Sequence, residues 1–219
     1  THDLQEPLHK IVAFGELLKT SCWNTLDEKG RTHLDKIEKA AKKMGEMIEQ
    51  LREFSRIGHA AAPLEPVDLH RVVREAMQDS EAGIKETGAE IEVATLPTVD
   101  ADRMQIRQVF QNLLANALKF RRADEPPRVA IWSRPLDEDL VEITVEDNGI
   151  GFDERYADRI FRPFQRLHPA GQYEGSGVGL AICQKILLRH GGKIAARSEM
   201  GKGSRFILTL RTSRKGGPS

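Results

Sequence analysis

Asn112-Leu113-Leu114-Ala115-Asn116, Asp147-Asn148-Gly149-Ile150-Gly151 and Gly175-Ser176-Gly177-Val178-Gly179-Leu180 follow one another in this order, and their combination decides how the surrounding chain is read. The two asparagines stand one helical turn apart, so both amides project from one face of a helix. Amide oxygens are hard ligands of the kind Mg²⁺ takes when it bridges phosphates. Asp147 closes a strand and is followed by Asn-Gly, so the backbone turns away while the carboxylate can accept a hydrogen bond from an adenine amino group. The glycines let backbone N–H groups approach phosphate oxygens closely and tolerate positive φ. Each motif alone has a plainer reading, since an Asn pair is commonly solvated and Asp-Asn-Gly is commonly only a turn. Together they describe a nucleotide pocket.

At 219 residues the chain suits one full domain plus a smaller element. Its 33 basic and 33 acidic residues cancel, which removes any global electrostatic case for nucleic acid or an anionic membrane surface. No apolar run approaches the roughly 20 residues of a membrane-crossing helix, and no secretory signal pattern is present. Cys22 and Cys183 follow no metal or redox spacing and read as reduced, small apolar residues of a cytoplasmic protein.

The texture changes near residue 60. Leu4, Leu8, Ile11, Gly15, Leu18 and Cys22, then Leu34, Ile37, Ala41, Met44, Ile48, Leu51 and Ser55, alternate steps of three and four. That is the seam of helices packing at a shallow angle. Asn24 to Gly30 holds capping and turn residues, so residues 1–58 are expected to fold back as a helical hairpin. A lone hairpin buries only one side of its stripe, so a second copy is expected to complete a dimeric four-helix bundle.

Residues 59–66, with Pro63 and Pro66, read as a linker. Beyond them, residues 67–212 alternate helical and strand patterns. Helices are expected over 67–87, 101–120 and 178–190, and strands over 90–96, 129–132, 141–145, 193–198 and 205–210. The sum is an α+β chain: a hairpin followed by a two-layer sandwich, with a mixed sheet covered by helices on one face. Residues 213–219 form a polar tail.

The chain resembles the sensor histidine kinases of two-component signalling over nearly all its length. Thr1-His2-Asp3-Leu4-Gln5-Glu6-Pro7-Leu8 looks like the H-box, Asn112 to Phe120 the N-box, and Asp147 to Gly151 the G1-box. Phe161-Arg162-Pro163-Phe164 looks like the F-box, and Gly175 to Leu180 the G2-box. The H-box wording is similar to that of kinases behind PAS- or phytochrome-type sensors.

The resemblance implies the histidine kinase, gyrase and heat-shock chaperone type of ATPase fold, with ATP and Mg²⁺ as cofactors. It implies that His2 is the phosphoacceptor and that Asp3 orients its imidazole and takes its proton. It also implies that Asn116 is the metal ligand, that Asp147 contacts adenine, and that Asn112, Lys119, Gly149, Gly151, Gly175, Gly177, Gly179 and Leu180 line the nucleotide. A homodimer, an upstream sensor missing from this chain and a response-regulator receiver as phosphoryl acceptor are implied too, with no nucleic acid and no membrane contact.

The residues qualify this picture. A neutral imidazole has one nitrogen lone pair able to attack a γ-phosphate while the other nitrogen keeps its proton. His9, one heptad later, lacks an acidic neighbour. Pro7 cannot donate to the Asp3 carbonyl, which favours a bend just after His2. Glu6 stands where family members that also act as phosphatases often carry Thr or Asn, which puts that activity in doubt. In the related hydrolases a glutamate four residues before the metal asparagine activates water; Asn112 cannot act as that base, so transfer to an internal nucleophile is favoured over hydrolysis. An inactive nucleotide-gated scaffold and an ATP hydrolase remain the alternatives.

Residues 152–174 exceed the usual loop length and read as a mobile lid. Phe161 and Phe164 are expected to anchor it in apolar surface. Arg162, Arg166 and His168 are candidates to reach a triphosphate.

Overall fold

The computed structural model describes residues 2–57, 63–167, 173 and 175–213, with residues 2–5 described in backbone alone. Part of the expected linker and nearly all of the expected tail therefore lie outside the described residues. The chain divides into two compact units, Thr1–Arg56 and Ile57–Ser219.

The first unit is a hairpin of α1 (His2–Cys22) and α2 (Glu28–Arg56). α1 runs through Pro7, whose ring removes the N–H that would otherwise donate to the carbonyl four residues earlier. The Asp27 carboxylate accepts the Gly30 N–H at 2.7 Å, which starts α2. Leu8, Leu34 and Ala41 are buried between the helices.

Glu38 is buried with them: Gly15 leaves room for its Cγ, and Lys19 Nζ reaches its Oε2 at 2.6 Å and Asp35 at 2.8 Å. Hydrogen bonds to Asp35 and Glu38 raise the Lys19 pKa above its ordinary value. Ile11, Leu18, Ile37, Met44 and Leu51 from the seam stay exposed, as do Phe14 and Leu17 outside it. A single hairpin thus covers only part of its apolar surface.

The second unit contains β1 (Glu65–Asp68), α3 (Leu69–Asp79), α4 (Glu81–Thr87), β2 (Glu90–Val93), β3 (Thr98–Ala101), α5 (Arg103–Lys119), β4 (Arg128–Pro135) and β5 (Leu140–Asp147). It closes with α6 (Gly179–Arg189), β6 (Lys193–Glu199) and β7 (Gly203–Arg211). A five-stranded sheet has the order β2-β4-β5-β7-β6. β2 runs parallel to β4 and the other pairs are antiparallel, so the sheet is mixed.

Alternation along the strands buries Ile131, Val141, Ile143, Val145, Leu208 and Leu210 on the face that takes the helices. On those helices Val72, Val73, Ile106, Val109, Phe110, Leu114, Ile186 and Leu187 complete the core.

Three local features depart from the sequence reading. The helix expected over 67–87 is two helices broken at Ser80, whose N–H caps α3 by bonding to Ala76 and Met77 carbonyls. Its first residues instead form β1, which pairs with β3 in a separate two-stranded sheet. Pro66, assigned to the linker, sits in this edge strand, where a missing N–H costs no internal ladder bond.

Phe110 lies fully buried on α5, between the helices and the sheet. Replacing Phe110 with Ala is expected to destabilise this unit by about 3–5 kcal/mol. The change is read as a lower urea midpoint at unchanged m-value.

Candidate active site

Two caps and one helix place the site. Asp102 accepts the N–H groups of Met104 and Gln105 at 3.1 and 3.2 Å and so starts α5. Asn112, Asn116 and Lys119 then follow along the C-terminal half of α5, all half-buried. At the end of α5 the Phe120 carbonyl accepts the Ile150 N–H at 2.9 Å, which ties the helix to the turn after β5. A Cβ on Gly149 would lie 2.5 Å from that carbonyl, so only glycine permits the approach.

Asp147 is the last residue of β5. Its Oδ1 accepts the Gly149 N–H at 2.8 Å and the Ser204 N–H at 3.2 Å. Among the described residues no donor reaches Oδ2. Burial pushes the carboxyl pKa up to about 6, against the two backbone N–H groups, which lower it; Glu146 adds a smaller upward push. Asn148, between Asp147 and Gly149, is spent on structure: Oδ1 accepts the Arg128 N–H at 2.7 Å, and Nδ2 donates to the Pro126 carbonyl at 3.1 Å.

The glycine cluster meets α5. A Cβ on Gly179 would lie 3.2 Å from Asn112 Oδ1, and one on Gly175 would lie 2.9 Å from Lys119 Nζ. Leu180 sits half-buried in the first turn of α6. Val178, the residue before α6, supplies no side-chain cap, so the partial positive charge of the helix start is left to other partners. Gly151 adopts φ +61° with the Glu199 carbonyl where its side chain would be, and Gly177 packs on the Gln165 carbonyl. At these two positions the protein's own backbone demands glycine, whereas the sequence reading assigned the closeness to phosphate.

Asn112 Nδ2 is a buried polar atom without a hydrogen-bond partner. It faces Cys183, whose thiol burial pushes up to about 12 and which contacts the Val109 carbonyl at 3.8 Å. Cys183 is therefore an inert thiol, as its spacing suggested. Among the described residues no group of three or more His, Cys, Asp or Glu is placed to hold a metal ion. The oxygen donors available from α5 are the Asn112 and Asn116 amides, a donor set that suits Mg²⁺ only if phosphates complete the shell.

The segment read as a lid contains single-turn 3-10 helices at Glu154–Tyr156 and Arg159–Phe161. Phe161 is buried, but Phe164 is 43% exposed. Phe164 has φ +63°, a left-handed turn that carries its ring outward, so of the two expected anchors Phe161 alone is buried. Arg166 donates to the Tyr173 carbonyl at 2.5 Å, a contact within the lid. His168 lies outside the described residues.

Two residues not named as candidate site residues pack in turn beside Lys119: Phe120, the last residue of the stretch read as the N-box, and against it Tyr173. The Phe120 ring lies 4.3 Å from Lys119 Nζ and 5.0 Å from the Tyr173 ring. Phe120 was within reach of the sequence as the aromatic that ends the N-box; nothing in the sequence pointed to Tyr173. In the other unit, the backbone of His2 and Asp3 opens α1, while their side chains lie outside what the structure describes.

Residues 101–214 match the family described as histidine kinase-, DNA gyrase B-, and HSP90-like ATPase, and residues 1–60 match the His Kinase A (phospho-acceptor) domain. The chain belongs to the sensor histidine kinases of two-component systems.

Phytochrome-like protein Cph1 of Synechocystis is 40% identical over 210 residues, covering 96% of this chain and 28% of that protein. Sensor protein FixL of Bradyrhizobium diazoefficiens is 30% identical over 217 residues, covering 95% of this chain and 41% of that protein. This chain thus spans well under half the length of either. Full-length ShkA in complex with AMPPNP superposes with a TM-score of 0.70 at 27% identity, covering 97% of this chain and 45% of that one. No described helix is long and apolar enough to cross a membrane.

The raised Asp147 pKa has a sign that can be checked. The folded value lies above the ordinary carboxylate value, so the folded state holds the proton more tightly. The contribution of this one group to stability is fully present at low pH, is lost as pH rises from about 4 to about 6, and is flat above. The carboxyl carbon resonance of Asp147 is expected to titrate near pH 6 in the free protein. It is expected to titrate lower with an adenine nucleotide present, because a new donor at Oδ2 favours the charged form.

Proposed function

We propose that this chain is an ATP-dependent histidine kinase core that phosphorylates His2 and passes the phosphoryl group to an aspartate of a receiver domain. The observation that carries it is the half-buried Asp147 carboxylate, with one oxygen held by two backbone N–H groups and no donor on the other among the described residues. An exocyclic amino group supplies the missing donor, whereas a carbonyl at that position would face a lone pair. This favours adenine over guanine.

Facing requirements on the phosphates fall to α5 and α6. Asn116 would hold Mg²⁺ together with phosphate oxygens, with Asn112 beside it, Lys119 would meet phosphate charge, and the uncapped start of α6 adds favourable partial charge. Gly175, Gly179 and Leu180 would shape the walls, while Gly149, Gly151 and Gly177 let the surrounding backbone close up behind them. The metal neutralises charge on the transferring group when bound. His2 attacks the γ-phosphorus through an unprotonated ring nitrogen, ADP departs, and Asp3 takes the proton displaced from the other ring nitrogen.

Because Asn112 offers an amide where water activation needs a carboxylate, phosphoryl transfer is favoured over hydrolysis. The exposed apolar residues of α1 and α2 support a homodimer through a four-helix bundle, and the likeness to phytochrome-like protein Cph1 and sensor protein FixL supports an upstream sensor.

Incubation with γ-labelled ATP and Mg²⁺ is expected to give acid-labile, base-stable label on His2 by mass spectrometry. His2→Gln is expected to keep nucleotide affinity and lose the label, and Asn116→Asp to weaken nucleotide binding by about tenfold or more. Label that survives in His2→Gln would place the acceptor elsewhere, and steady phosphate release without phosphoprotein would point to a hydrolase. Phe14→Glu is expected to shift the chain toward monomer in sedimentation, since a charge on that face opposes its burial.

A further inference from the structure

α5 and α6 run antiparallel, and their contacts form a ladder from the site to its far end. Asn112 meets Gly179, and the Cys183 thiol meets the Val109 carbonyl at 3.8 Å. Arg189 then donates to Gln105 at 2.6 Å and to the Asp102 carboxylate at 3.0 Å. Finally the Asp102 N–H donates to His190 Nε2 at 2.9 Å. Asp102 is also the residue whose carboxylate caps α5.

His190 is buried at 3% exposure, and its Nδ1 lies 2.7 Å from the Ile186 carbonyl. A carbonyl can only accept, so Nδ1 carries the proton and Nε2 is left as the acceptor that Asp102 requires. Both nitrogens of a neutral ring are thereby used, one on α6 and one on the start of α5. Burial lowers the ring's pKa most and the neighbouring Arg189 charge adds to it, which favours this neutral form; the Ile186 carbonyl and, less, Asp102 oppose them. The Arg189–Asp102 pair beside it is itself 12% exposed on each side, so this end of the helix pair is closed by a shielded, fully matched polar cluster.

We propose that His190 and Arg189 are positioning residues for nucleotide binding, which they serve by fixing the start of α5 to the end of α6 so that Asn112 and Asn116 keep their distance from Gly179. The proposal rests on the functional reading above and extends it to residues that touch no ligand. From Asp102 to Asn112 the helix rises about 15 Å, with the Val109–Cys183 contact between the two ends. Release of the far end lets α6 tilt about that contact. Its first turn, and the gap between Gly179 and the asparagine face, moves with it.

The test uses the whole chain and Mg-ADP titrated by calorimetry. His190→Ala is expected to weaken binding about fivefold, and His190→Gln, whose amide oxygen can accept the Asp102 N–H, to recover most of the loss. Ile131→Val removes one buried methylene group from β4, away from this ladder, and is expected to lower the melting temperature with affinity unchanged.

Hydrogen exchange of the nucleotide-free protein supplies a second readout: amides 183–186 of α6 are expected to exchange faster in His190→Ala and not in Ile131→Val. If His190→Ala does not fold, Arg189→Met, which removes the ion pair and leaves the ring, carries both measurements with the same expected direction. Affinity and α6 exchange no different from those of Ile131→Val would overturn the proposal. If the unaltered chain binds no nucleotide, the functional reading falls, while exchange still decides whether these residues fix α6.

Discussion

The hydrogen bond from the Ile150 N–H to the Phe120 carbonyl, 2.9 Å long, is the contact on which the rest of the site depends. It joins the end of α5, which carries the amides and Lys119, to the turn that carries Asp147. A helix C-terminus leaves carbonyls without partners, and this one is satisfied by another part of the site. The same contact forbids a side chain at Gly149. Asn148 braces the turn from the other side through the Arg128 and Pro126 backbone. The carboxylate of Asp147 therefore has a fixed position before any ligand arrives, and preorganisation of this kind lowers the ordering cost of binding.

That position is costly to hold. A carboxyl held near pKa 6 by burial gives up a few kcal/mol, about 3 by the size of the shift, when it ionises in the folded protein. The two backbone N–H groups on Oδ1 recover part of this. The unrecovered part belongs to Oδ2, and a ligand donor there returns it as binding energy. Asn112 Nδ2, buried without a partner, is a second unmet group on the opposing helix. Of the two buried side-chain atoms without a partner among the described residues, Glu38 Oε1 lies in the hairpin and Asn112 Nδ2 lies at the site, where an unmet donor is consistent with stability given up for recognition.

Sequence periodicity was legible where long elements bury one face. The helix expected over 101–120 is α5 at Arg103–Lys119, and the strand expected over 141–145 lies inside β5 at Leu140–Asp147. β1 and β3 escape the sequence reading because β1 contains Pro66 and reads as linker and helix start, while β3 is four residues long and its last residue reads as the start of the next helix; the two gain their order from each other. The break at Ser80 was hidden because apolar spacing continues across it, and the local capping of Ser80 decides the outcome.

At the site, Asn112, Lys119, Asp147 and the later glycines were legible as motifs. The sequence could not tell a glycine that faces a ligand from Gly151, which faces the Glu199 carbonyl. Nor could it show Phe164 turning outward or Tyr173 reaching Phe120, since both depend on lid geometry.

In the proposed reaction, the division into two compact units and the residue at position 112 serve one end. A nucleotide unit carrying its own general base would activate whatever water entered and spend ATP continuously. An amide at 112 has no basic lone pair to take that proton, so the bound nucleotide waits for a nucleophile supplied from outside the unit. The nucleophile sits at the start of a different unit, whose helices expose apolar surface for partner contact. Control over when the phosphoryl group moves then passes from the chemistry of the nucleotide pocket to the delivery of one imidazole. That separation lets a signal acting on the helices govern the reaction without altering the pocket.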